Sequence, residues 1–236
     1  MSWTPKRFWK AASALPTQGG FTIHLDQRPV KTPAKRPLIV PTLQLAEAIA
    51  DEWDAQQGVI KPQTMPVTRS ANSAIDKVAH QFDAVVDIIA AYGGTDLLCY
   101  RAPTPPDLIQ LQNAAWDPLL HWSAESLNAP LQSVAGVMHI AQAPASLHRL
   151  HDLTAVQTAF QLAAFHDLVA LSGSLVLSFA TIQGRLTPAD AWTISRIDET
   201  YQISLWGTDD EAASLTETRR LAFHHAATFW QLSTPN

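Results

Sequence analysis

Hydrophobic and polar positions change period once along this chain, near Thr42. Before that point the period is two. Phe21, Ile23 and Leu25 fall on one face of an extended segment, with Thr22 and His24 on the other, which predicts a half-buried strand. Arg7 to Ala11 alternates more loosely. Gln18-Gly19-Gly20 and Asp26-Gln27-Arg28-Pro29 read as turns. Pro29, Pro33, Pro37 and Pro41 then recur. They forbid a helix or a central strand and leave short edge strands such as Leu38-Ile39-Val40. Two or three short strands bury little, so this unit must lean on the rest of the chain.

After Thr42 the period is helical. Thr42 is a good N-cap, Leu45, Ile49 and Trp53 form one stripe, and Gly58 is the stop signal. A second helix is expected to start between Thr64 and Val67. A third runs from about Gln81 to Tyr92, with Phe82, Val85, Ile89 and Tyr92 on one side. Asp107 caps a long helix through Leu127, kinked near Pro118. Leu131 to Ile140 is ambiguous and extended at most. Helices resume after Pro144: one through Leu153, then an apolar stretch to Ile182, where Ser172-Gly173-Ser174 reads as a small-residue packing face. Thr187-Pro188 restarts a helix that ends at Trp206-Gly207. Asp209-Asp210-Glu211 opens the last one with acids at its positive end, and Leu215, Ala222, Ala226 and Phe229 continue one face. The expected fold class is α+β: a small N-terminal β domain, residues 1–41, followed by a larger, mainly helical domain, residues 42–236.

Charge supports that boundary. Residues 1–41 carry seven Lys or Arg against one acid, Asp26, whereas the remainder carries nine against twenty. The 236 residues are 47% hydrophobic and 16% charged, a globular composition with ample core material. A single cysteine, Cys99, excludes an internal disulfide and fits a reducing compartment. Its neighbours Leu97, Leu98 and Tyr100 suggest a buried, inert thiol. The uncharged stretch from Leu168 to Gln183 is shorter and more polar than the roughly 20 apolar residues of a membrane span. No membrane insertion is expected. Lys6, Arg7 and Lys10 are followed by no apolar run, so no secretory signal is expected either.

Motifs for catalysis or cofactors are missing from the sequence: it holds no Walker loop, no dinucleotide fingerprint and no His-Glu-x-x-His. No cofactor and no metal is therefore expected. His148 and His151 share a helix face at a spacing that metal sites use, and with His166 they leave a cryptic hydrolase open as an alternative. Lys6-Arg7-Phe8-Trp9-Lys10 mixes basic and aromatic residues, which leaves nucleic-acid binding through a basic hairpin as another. The acidic remainder argues against that partner. Gly93-Gly94-Thr95-Asp96 follows a predicted helix and reads as its C-terminal stop.

Five strings, in collinear order, carry a family resemblance. They are Thr68-Arg69-Ser70-Ala71-Asn72-Ser73-Ala74-Ile75-Asp76, then Tyr92-Gly93-Gly94-Thr95-Asp96-Leu97-Leu98-Cys99-Tyr100-Arg101 and Trp116-Asp117-Pro118-Leu119-Leu120, then Gly173-Ser174-Leu175-Val176-Leu177, and last Asp198-Glu199-Thr200-Tyr201-Gln202 with Trp206-Gly207 behind it. Together the strings resemble the ATP synthase assembly chaperones that bind the α subunit, mitochondrial assembly factor 2 and its bacterial homologues. The resemblance implies a small β domain with a helical domain and no enzymatic activity. It also implies one partner, the free α subunit of the F-type ATP synthase, shielded until it pairs with β. The location would be the cytoplasm in a bacterium, or the mitochondrial matrix in a eukaryote. Glu199 matches an acidic position important in the family, and Trp53 lies in a matching Asp-Glu-Trp segment. Asp198 and Trp206 stand beside Glu199 in its string and complete the expected partner-binding set. From the residues alone, Trp53 also reads as core, and Glu199 as the ion-pair partner of Arg196 three residues away.

Overall fold

The computed structural model describes residues 6–235. The first five residues of the expected β domain, and Asn236, lie outside the described residues. The structure has a small N-terminal strand region followed by a mostly helical chain. Packing divides it into two compact units. The first is Met1–Phe82, Thr158–Ala164 and Thr228–Asn236, and the second is Asp83–Gln157 and Phe165–Ala227. The switch from strand to helix at Pro41–Thr42 therefore lies inside the first unit.

In the first unit, β1 (Ala12–Thr17) and β2 (Gly20–Leu25) form a hairpin with Ala12 opposite Leu25 and Thr17 opposite Gly20. Two short strands, β3 (Arg28–Pro29) and β4 (Ile39–Val40), both pair with β2. Gly20 has φ +143°, and a Cβ there would lie 2.3 Å from the carbonyl oxygen of Val40. Only glycine lets β4 approach so closely. Arg7 to Ala11 forms no strand, contrary to the loose alternation. Side chains occupy the backbone groups that a ladder would use. Arg7 donates to the carbonyls of Trp9, Lys10, Asp54 and Gln56, and the Asp26 carboxylate accepts from the Lys10 and Ala11 amides. Those two amide bonds hold the Asp26 carboxyl below the usual carboxylate range.

Thr42 caps α1 (Leu43–Asp54) by accepting from the Leu45 amide. Leu45 and Ile49 are fully buried against Ile23, Leu38 and Val40 in one core. Burying such a side chain stabilises by roughly 1.5–3 kcal/mol. Glu52, one turn after Ile49 on α1, caps α2 (Pro66–Asp76): it accepts from the amides of Val67 and Thr68 and from the Thr68 hydroxyl, at 2.6–2.7 Å. Gly58 (φ +68°) lies beyond the end of α1.

Helix α3 (Phe82–Ala90), which enters the second unit at Asp83, buries Val86, Ile89 and Ala90. Its inward line differs from the expected one, because Phe82 and Val85 are only half-buried. The chain then tightens into a 3₁₀ turn over Ala91–Gly94. β5 (Tyr100–Arg101) and β6 (Val134–Ala135) make a short parallel pair. Between them, α4 (Pro106–Ser126) is one helix through Pro118; Pro105 holds its N-cap position without a side-chain cap bond, and Asp107, expected as the cap, lies inside the first turn. Next come α5 (Pro144–Ala155), α6 (Ala159–Ser172), α7 (Leu175–Ile182), α8 (Pro188–Ser195), α9 (Ile197–Trp206) and α10 (Asp210–Leu232).

Three expectations need correction here. Ser172-Gly173-Ser174 is a break between α6 and α7, with Gly173 at φ +74° and Ser174 as N-cap of α7. The single helix expected from Thr187 to Trp206 is two helices parted at Arg196, whose ψ of 18° leaves the helical range. On α10 the buried residues are Phe223, Ala226, Ala227 and Phe229, while Leu215 and Ala222 are exposed. Among the described residues no helix is long and apolar enough to cross a membrane.

Candidate partner-binding site

Helix α9 is fixed at its start and free along its length. The Arg196 guanidinium lies 5.0 Å from the Trp192 ring centroid and donates to the carbonyls of Leu171 and Ser172. Asp198 accepts a 2.6 Å bond from the amide of buried Gln112, whose carbonyl in turn accepts from the Ala102 amide. This chain ties α9 to α4. No residue of α9 is buried.

Glu199 projects outward. Its carboxylate pairs with Arg196 at 2.9 Å, and its side chain is 55% exposed. Such an exposed pair contributes at most about 1 kcal/mol, so it steadies Glu199 without hiding it. Trp206 is 82% exposed, and Gly207 (φ +84°) turns the chain just after it. Glu199, Ile203 and Trp206 are spaced i, i+4, i+7 and so share one stripe of α9. An acid and two apolar side chains, all solvent-facing, make a surface suited to an apolar partner with positive charge.

Trp53 belongs to the first unit. It is half-buried and packs edge-on against Trp9 with ring centroids 5.3 Å apart. Of the four expected residues, the structure places Asp198, Glu199 and Trp206 on one helix and packs Trp53 against the core of the other unit. The sequence reading missed exposed Ile203 and Leu205, and it assigned Leu215 to an inward face. Their signal was the mixture: a core stripe rarely interleaves acids with Ile and Trp.

The other candidates have structural partners. His151 bonds Asp87 at 3.1 Å and, with His148, lines an open cavity of about 460 Å³. His166 bonds its neighbour Asp167, which raises its pKa. Among the described residues no three His, Cys, Asp or Glu side chains are placed to hold a metal. Burial, and secondarily the Asp96 charge, push the Cys99 thiol up to about 12, so it stays protonated and weakly nucleophilic. In the basic N-terminal stretch, Trp9 is buried and Arg7 lies over its ring, leaving Phe8 and Lys10 outside.

The exposed stripe on α9 is a candidate binding surface, and comparison with known proteins identifies the family. The crystal structure of Atp12 from Paracoccus denitrificans superposes with a TM-score of 0.95 at 48% identity, covering 97% of this chain and 98% of that one. The Atu1473 protein of Agrobacterium tumefaciens superposes with a TM-score of 0.91 at 40% identity, covering 97% and 86%. The mitochondrial protein atp12 of Schizosaccharomyces pombe is 26% identical over 219 residues, 88% of this chain and 75% of that protein. The family model described as ATP12 chaperone protein matches residues 6–124. The chain belongs to the ATP12 family of ATP synthase assembly chaperones.

Proposed function

We propose that this chaperone binds the free α subunit of the F-type ATP synthase and shields its interface until β replaces it, without catalysing a reaction. The observation that carries this reading is the outward stripe of Glu199 and Trp206 on a helix that buries none of its residues. A subunit awaiting its partner exposes an apolar interface, and a temporary cover suppresses wrong association. Asp198 sets the helix in place through Gln112, and Trp53 acts from within the first unit by supporting Trp9. The work is done in the cytoplasm of a bacterium, or in the matrix if the source is eukaryotic.

The test is Glu199→Gln, which keeps the shape and removes the charge. Binding of purified α subunit, measured by calorimetry, should weaken by roughly fivefold, as expected for one partly exposed charge. The melting temperature should stay unchanged. A variant that melts earlier yet binds normally would make Glu199 a structural ion-pair residue only.

A further inference from the structure

We infer that residues 197–219, helix α9 and the first half of α10, form a docking arm for an apolar client segment flanked by Lys or Arg. Every residue from Gln202 to Arg219 is exposed. Five large apolar side chains on or beside this run face solvent: Ile203, Leu205, Trp206, Leu215 and Leu221. Helices in folded proteins draw most of their stability from packing one face. Here the last turns of α9 and the first turns of α10 bury nothing, although both carry the side chains to do so.

Charge selects the occupant. Between Ile197 and Thr218 stand six acids, Asp198, Glu199, Asp209, Asp210, Glu211 and Glu217, and no Lys, Arg or His. Glu217 is held below its usual pKa by the Arg220 side chain beside it. An apolar surface fringed with one sign of charge attracts and orients a segment of opposite sign. The occupant that fits is a client segment with an apolar stretch flanked by Lys or Arg, which on the chaperone reading belongs to an unassembled ATP synthase subunit. In this chain's own basic region Arg7 pairs with Asp54, Arg36 donates to the Ile75 carbonyl and Arg28 lies over Phe8, whereas Lys6, Lys10, Lys31 and Lys35 are exposed, so a second copy is the competing occupant that the experiment must separate. The inference rests on the chaperone reading and extends its contact surface from α9 to α10.

The experiment places a photocrosslinking phenylalanine analogue at Trp206, at Leu215, or at Leu15 in the first unit as control, and offers purified α or β subunit. Adducts with α from positions 206 and 215, in excess over 15, are the expected result. Adducts with β alone would keep the arm and overturn the α-subunit reading. Adducts only with a second copy, or none from 206 and 215, would overturn the arm. In parallel, the combined variant Ile203→Ser, Trp206→Ser, Leu215→Ser should bind α roughly tenfold or more weakly, with its melting temperature unchanged and wild-type binding falling as salt rises. Normal binding by that variant would overturn the arm while the α-subunit reading stands on the wild-type affinity.

Discussion

Asp96 is completely buried and yet accepts three hydrogen bonds: from the amides of Leu98 and Val176, and from the Ser174 hydroxyl, at 2.8–3.0 Å. Burial raises its pKa, and those bonds act in the other direction. One carboxylate thus starts both the 3₁₀ turn Leu97–Cys99 and helix α7. Asp96→Ala would leave three buried donors without an acceptor. The expected cost is roughly 3 kcal/mol or more, read as a lower urea midpoint at constant slope. A shift below about 1 kcal/mol would show that water or a neighbour substitutes for the carboxylate. None of this could be read from the chain order. Asp96 lies 78 and 80 residues from Ser174 and Val176, so the Gly-Gly-Thr-Asp string looked like a helix stop. Local chemistry was easier. The inert character expected of Cys99 followed from its immediate apolar neighbours, and the capping of Thr42 and Thr187 involves amides only three residues on.

Turns and caps set the elements, and Gly20 shows how tightly. In Gly20→Ala the new methyl would meet the Val40 carbonyl, and the backbone would be strained as well. A loss of roughly 2 kcal/mol or more is expected by denaturant titration. Gly19→Ala is the control: Gly19 also has positive φ, but nothing lies within 4 Å of its added Cβ. It should lose only the strain of about 1 kcal/mol. Equal losses for the two would refute the close-approach argument. The hairpin itself was legible because its turn residues and alternation agree. Helix existence was legible too, while helix faces on α3 and α10 were not. Periodicity reports where apolar residues line up along a helix. It does not report whether another element arrives to cover them, and along the outer parts of α9 and α10 none does.

At the scale of the molecule, stability should be uneven. Helix α7 is buried from Leu175 to Thr181, whereas residues 202–219 are exposed throughout. Amide hydrogen exchange should therefore be orders of magnitude faster in 202–219 than in α7, and should slow in the arm when client is added. Exchange in the arm as slow as in α7 would contradict the exposed packing described above. The charge division at Pro41 was visible in composition, but the packing units follow other lines: the first unit runs on to Phe82, and α6 and α10 each contribute residues to both. That interleaving has a consequence for biosynthesis. The first core needs Ala164 and Phe229 as well as the strands and α1. When Phe82 leaves the ribosome, that core still lacks members encoded near the far end of the message. At roughly 5–20 residues per second, the wait is on the order of ten seconds. The nascent strands and α1 spend that interval with their shared core incomplete, so this chaperone is itself, while being made, a chain in need of protection.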